Sequence, residues 1–299
     1  MLRCDILAMC CWRAYWQHTN VPPILSPKCY KDSIIMARIV AVTNQKGGVG
    51  KTTTVFNVGA MAAELGHKTL LVDLDSQAAL TASLGLDPHR LDRSIYHLLL
   101  AKELDPEKVL VKDVRPNLDI LPANKSLVRS DVELAQQIGR EYLLQESLFP
   151  IRHEYDLILI DNAPNLGVLT VNALTAANDV LIPLVCEYLA LRGMGMLVDM
   201  IRQVRNETNP SLKILGVLIS MYDPKSLHSR EVYAEAKRIF GDYVFEPPIP
   251  KNARFAEAAA AQRPIVEYDP DNPAVPIYRN IVEQLLAEKP REKPVAEKV

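Results

Sequence analysis

Residues 43–54 read Thr-Asn-Gln-Lys-Gly-Gly-Val-Gly-Lys-Thr-Thr-Thr, after an apolar run Arg38-Ile39-Val40-Ala41-Val42 and before a helix-compatible stretch from Thr53 to Leu65. A glycine-rich turn between strand and helix lets backbone N–H groups face a phosphate, where the helix N-terminus already favours negative charge. Gly47, Gly48, Val49, Gly50, Lys51, Thr52 and Thr53 then form a candidate triphosphate cradle. In such a cradle the lysine at position 51 reaches the β- and γ-phosphates, and the hydroxyl of Thr52 serves Mg²⁺. Gln45 stands where the usual loop has its first glycine, and a second lysine, Lys46, follows it. Two lysines would crowd one phosphate chain with like charge, so Lys46 is expected to have a separate role.

Alternation extends outward from the loop. Apolar, β-branched runs occur at 39–42, 69–72, 118–121, 157–160, 180–185 and 214–220. Stretches of helical period lie at 53–65, 125–148, 166–176, 191–206 and 230–240, with further ones at 253–261 and 277–287. Continuous apolar strands separated by helices predict an α/β fold, a mostly parallel sheet covered on both faces, with ligand loops at the carboxyl ends of the strands. Residues 36–288 are expected to form one P-loop ATPase domain and 289–299 a disordered tail.

Two further segments carry acids at strand ends. Leu70-Leu71-Val72-Asp73-Leu74-Asp75-Ser76-Gln77 places two carboxylates past the second apolar run, and Tyr155-Asp156-Leu157-Ile158-Leu159-Ile160-Asp161 ends the fourth run in an acid. Such acids beside a phosphate loop orient a water nucleophile or organise Mg²⁺. Solvated loop acids or a helix cap are the blander alternative for Asp73 and Asp75.

The loop resembles the deviant Walker A element of the ParA/MinD ATPase superfamily, whose early lysine reaches across a dimer to the partner's nucleotide. The ordered set of Asp73-Leu74-Asp75-Ser76-Gln77, Asp161 through Gly167, Leu169 through Leu174, Cys186 through Leu191, Gly216 through Asp223 and Ile249 through Arg254 resembles the ParA/Soj branch, over about 38–288. Ser76 stands where that branch more usually has proline. The resemblance implies ATP and Mg²⁺ as cofactors and ATP hydrolysis, slow and partner-stimulated, in chromosome or plasmid segregation. It implies catalytic roles for Lys46 and Asp75, with Asp75 positioning the attacking water. Thr52, Asp73 and Asp161 are implied around the metal, and Pro250 and Asn252 near the adenine. It further implies a homodimer enclosing two ATP molecules, a ParB/Spo0J-like partner, and nonspecific duplex DNA contact through Arg202, Arg205, Lys225 and Arg230 in a cytoplasmic, nucleoid-associated protein.

Composition sets bounds on this reading. The chain has 299 residues, 48% hydrophobic and 23% charged, with a formal net charge of −2. A DNA-binding surface must therefore be a local patch, since the whole chain is no polycation. From charge alone such a patch is equally well an ordinary solvated face, because Glu207, Glu231 and Glu235 interrupt the arginines and lysines. No stretch approaches the ~20 apolar residues of a membrane span. Cys4, Cys10, Cys11 and Cys29, with Trp12 and Trp16, lie in the opening segment, and only Cys186 follows. Residues 1–35 are expected to be an irregular extension, or the product of a start assigned upstream of Met36. A MinD-like positioning ATPase acting at a membrane or a protein cargo is the alternative; it calls for a terminal amphipathic helix, which the charged, proline-containing tail does not supply. A relative of nitrogenase iron protein calls for paired cluster cysteines, and a metabolic transferase for a second-substrate motif.

Overall fold

Every strand expected from an apolar run is present in the computed structural model, which describes residues 37–101, 104–187 and 194–287. They are β1 (Arg38–Val42), β2 (Thr69–Leu74), β4 (Leu118–Leu121), β5 (Leu157–Asn162), β6 (Asp179–Val185) and β7 (Lys213–Ser220), with one more, β3 (Val111–Arg115), between β2 and β4 in the chain. The seven form a single sheet in the order β3-β4-β2-β5-β1-β6-β7. All neighbours pair parallel except β3, which runs antiparallel to β4 at the edge.

The parallel strands are buried on both faces, which is why they read as unbroken apolar runs. In β1 the alternation sends Val40 and Val42 to one core and Ile39 and Ala41 to the other. The first core is covered by α1 (Lys51–Glu64) through Val55, Val58 and Met61, and by the last long helix, Val275–Leu286, through Ile277, Ile281 and Leu285. Across the sheet lie α2 (Val168–Ala176), α3 (Met194–Glu207) and α4 (Leu227–Phe240), contributing Leu169, Leu197, Ile201, Val232 and Phe240. The helix Val275–Leu286 is α5.

Two elements differ from the sequence reading. The stretch 125–148 is a series of short turns, 3₁₀ at Lys125–Arg129 and Leu134–Gln136 and α-helical at Ser130–Glu133 and Leu143–Leu148, in place of one long helix. The buried Asn172 side chain of α2 explains part of the break: its Nδ2 donates to Arg140 O at 2.7 Å, and its Oδ1 accepts from Leu144 N at 3.0 Å. Those backbone groups are satisfied without a continuous helix. Strand β3 escaped notice because, half exposed and charged, it lacks an apolar run. The expected extension 1–35, the tail 289–299, and Leu191 at the start of the fourth helical stretch lie outside the described residues.

Candidate functional site

β1 delivers the loop 43–50 to the carboxyl edge of the sheet, between β5 and β6. Gly48 and Gly50 have φ of 73° and 86°, so the loop makes two left-handed steps that side-chain-bearing residues resist. Gly47 and Gly48 are exposed, leaving their backbone open at the surface, whereas Val49 is fully buried and anchors the loop. Ser220, at the end of β7, donates from Oγ to Val49 O at 2.9 Å. Asn44 receives Lys46 N at 3.0 Å and donates to Pro183 O at 2.7 Å, fixing the loop's entry against β6. Nothing in the primary sequence singled out Asn44 or Ser220 for this: Asn44 is the second residue of the loop, and Ser220 closes the strand whose end meets it.

The two lysines have different surroundings. Lys51 is buried, and its Nζ donates to Lys46 O at 3.0 Å across the mouth of the loop. Burial lowers its pKa, opposed by the negative charges of Asp161 and Asp75. Lys46 points outward, where its ammonium pairs with Glu187, a partner the sequence reading missed. Thr53 is exposed on the first turn of α1.

Asp161 and Asp73 are direct neighbours in the β2–β5 register and both are fully buried. Thr52 donates from Oγ1 to Asp161 Oδ2 at 2.7 Å, joining the start of α1 to the end of β5. Asp161 Oδ1 is buried without a hydrogen-bond partner. Its pKa is raised well above the ordinary carboxylate value, first by burial and next by the charge of Asp73. Asp73 is pushed up to about 6 by burial, against hydrogen bonds from Thr81 and Asp75. Its Oδ2 accepts from Thr81 N at 2.9 Å and Thr81 Oγ1 at 2.7 Å, and its Oδ1 from Asp75 N at 3.1 Å. Asp73 thus fixes the loop that carries Asp75, which is only partly buried and accepts from Gln77 N at 2.9 Å.

Two buried acids side by side, one with an unpaired oxygen next to a hydroxyl, suit a hard divalent cation, which takes oxygen ligands and offsets the charge that burial penalises. Thr52 and Asp161 therefore fit Mg²⁺.

Pro250 and Asn252 lie on a segment that runs beside β7. Phe245 N donates to Val217 O at 2.9 Å, Ile249 N to Ile219 O at 2.8 Å, and Pro250 bridges to Tyr222 just past the strand. That brings both residues to the carboxyl edge of β7, the strand whose Ser220 touches the phosphate loop.

The structure does not gather the basic residues at this site. Arg202, on α3, pairs with Asp199 at 3.2 Å, and Arg205 lies half-buried one turn on. Lys225 and Arg230 are exposed around the start of α4, with Arg230 donating to Pro224 O at 3.0 Å. Farther along α4, Lys237 pairs with Glu246 and Arg238 with Glu235.

A family model described as an AAA domain matches residues 37–214. The Bacillus subtilis sporulation initiation inhibitor protein Soj is 39% identical over 252 residues, covering 84% of this chain and 99% of its own. The chain belongs to the Soj/ParA family of partition ATPases. The chromosome-partitioning ATPase Soj of Thermus thermophilus is 43% identical over 251 residues, with 84% of this chain and 96% of that protein covered. A solved structure from Mycobacterium smegmatis, described as a cobyrinic acid a,c-diamide synthase with bound ATP analogue and magnesium, is 44% identical. It superposes with a TM-score of 0.69, covering 77% of this chain and 93% of that one. Among the described residues no helix is long and apolar enough to cross a membrane.

Proposed function

We propose that this chain is an ATP-dependent dimerising partition ATPase that binds duplex DNA without sequence preference and hydrolyses ATP to ADP and phosphate. The observation that carries the ATPase reading is the junction of Thr52 and Asp161 at 2.7 Å beside an unpartnered Asp161 oxygen, directly under a loop with two left-handed glycines. Family membership supports the partition role, and the nucleotide and magnesium held by the Mycobacterium smegmatis structure support ATP and Mg²⁺ here.

In this reading the loop amides and Lys51 hold the triphosphate, and Thr52 and Asp161, with Asp73 behind them, hold Mg²⁺. Bound there, the cation would offset the charge of the phosphates. Asp75 lies on the loop braced by Asp73, open to solvent on one side, and positions the attacking water. Lys46, on the outer face, leaves Glu187 to reach the nucleotide of a second copy. Nucleotide then stabilises the dimer by mass action, and hydrolysis prompted by a ParB/Spo0J-like protein resets it. Pro250 and Asn252 border the adenine. The ATPase domain spans 36–288, and the protein is cytoplasmic and associated with the nucleoid through Arg202, Arg205, Lys225 and Arg230.

The test is phosphate release and sedimentation in ATP and in ADP, with and without duplex DNA. ATP-specific dimerisation with DNA-dependent sedimentation is expected; a chain that stays monomeric in ATP would sink the reading. The 44% identity to a protein described as a diamide synthase favours one second reading, ATP-driven amide formation on a carboxylate. It requires ADP release to depend on an acid acceptor and a nitrogen donor, and the same assay with neither present separates the two.

A further inference from the structure

Two buried side chains next to the catalytic strand end have no role in that scheme. Asn162 follows Asp161 and is 1% exposed; Thr43 opens the phosphate loop and is 0% exposed. Asn162 Oδ1 and Thr43 Oγ1 are both buried without a hydrogen-bond partner. They stand together. Val42 pairs with Asp161 in the β1–β5 register, so the next residues along, Thr43 and Asn162, are neighbours on adjacent strands. Side chains alternate between the faces of a strand, so both lie opposite Asp161, on the face covered by α2. Their flanking positions on that face are apolar: Leu74 pairs with Asn162 on one side, and Ile182 follows the Val42–Leu181 pair on the other. Both belong to the α2-side core.

The amide of Asn162 cannot simply turn to find a partner. Its Nδ2 donates to Val42 O at 3.2 Å, and a flipped amide would set two carbonyl oxygens against each other. Two oxygens with unmet hydrogen-bonding capacity in one apolar row are costly as they stand, and a buried polar site of this kind is where proteins retain water.

We propose that Thr43 and Asn162 hold one buried water molecule between them, and that this water ties the root of the phosphate loop to the strand end carrying Asp161. The water donates to Asn162 Oδ1 and exchanges a hydrogen bond with the Thr43 hydroxyl. Thr43 and Asn162 are then positioning residues. They act through Asn44, which fixes Lys46 N, and through Asp161, which holds Thr52. The link to nucleotide rests on the triphosphate reading of the loop, whereas the water itself does not.

A high-resolution crystal structure of the full chain is expected to show a density peak about 2.7–3.2 Å from both oxygens. Thr43→Val, which keeps shape and loses the hydroxyl, should lower the melting midpoint by about 3 °C and weaken MgATP binding several-fold, and Thr43→Ser should restore both. The double variant Thr43→Val/Asn162→Leu should melt no lower than the worse single variant, because it removes both unpaired groups together. A direct Thr43–Asn162 contact in the density, additive losses in the double variant, or MgATP affinity unmoved by Thr43→Val would each overturn the proposal. Density and melting judge the water even in a chain that binds no MgATP.

Discussion

Lys46 and Lys51 are separated by five positions and by opposite environments, and burial is what distinguishes them. Lys51 is held inside the loop by Lys46 O and faces Asp161 and Asp75. Removing a charge-assisted donor of this kind costs about 1.5–3 kcal/mol, so Lys51→Ala should weaken MgATP binding by about 10- to 100-fold, measurable by equilibrium titration. Lys46→Ala should leave that affinity nearly intact and abolish ATP-dependent dimerisation; an unchanged dimer in sedimentation would remove the trans role. Asp75 is a third case. Its loop is fixed by Asp73, but its own side chain stays half open. Asp75→Ala should keep ATP binding and lose turnover by about 100-fold or more, accumulating as an ATP-bound dimer. Normal phosphate release would move the water-positioning role elsewhere.

Element packing decides where the outlying parts of the site fall. The segment bearing Pro250 and Asn252 can lie along β7 only because Gly216 has no side chain: a Cβ there would be 2.5 Å from Tyr243 O and 2.7 Å from Phe245 Cε2. A backbone carbonyl cannot move aside as a flexible side chain can. Gly216→Ala is therefore expected to cost about 1–3 kcal/mol, a drop of roughly 2–4 °C per kcal/mol in the melting midpoint. It should also weaken adenine nucleotide binding while sparing inorganic triphosphate; equal loss for both ligands would detach this segment from the base. At the far edge, β3 is held through Asp119, whose Oδ1 accepts Asp113 N at 2.8 Å and whose Oδ2 accepts the Tyr155 hydroxyl at 2.7 Å. Burial and that carboxylate both raise the Tyr155 pKa. Tyr155→Phe leaves a buried carboxylate short of a donor and should destabilise the fold by about 1–3 kcal/mol in denaturant melts, without altering the ATPase rate, because the pair lies at the opposite end of the strands from the loop.

At the scale of the molecule, nucleotide and DNA are proposed to meet different surfaces. Lys225 and Arg230 are the exposed cations at the start of α4, whereas Lys237 and Arg238 farther along it are paired with acids. Arg202→Glu with Arg230→Glu should eliminate ATP-dependent binding to duplexes of arbitrary sequence and leave ATP-dependent dimerisation in place. Wild-type affinity should fall steeply with salt and little with sequence, with a slope smaller by about 0.9 for each phosphate contact removed in single variants. Wild type with ATP and no duplex binding at low salt would overturn the nucleoid role.

Much of this was open to inspection in the chain alone, because the information is local. A glycine-rich turn between a strand and a helix, and an acid closing an apolar run, are short patterns with a direct physical meaning, so the sheet, the loop and the strand-end acids could be read from consecutive residues. Residues 125–148 misled because helical period is also local, whereas the side chain that interrupts it, Asn172, arrives from another helix. The sheet order decided the rest. Only the β2–β5 register sets Asp73 beside Asp161, and only the β1–β5 register sets Thr43 beside Asn162. Likewise, only the approach of the β6 end gives Lys46 its acid. Charge shifts, unmet hydrogen bonds and ion pairs depend on distance through space, and a linear sequence does not carry that distance.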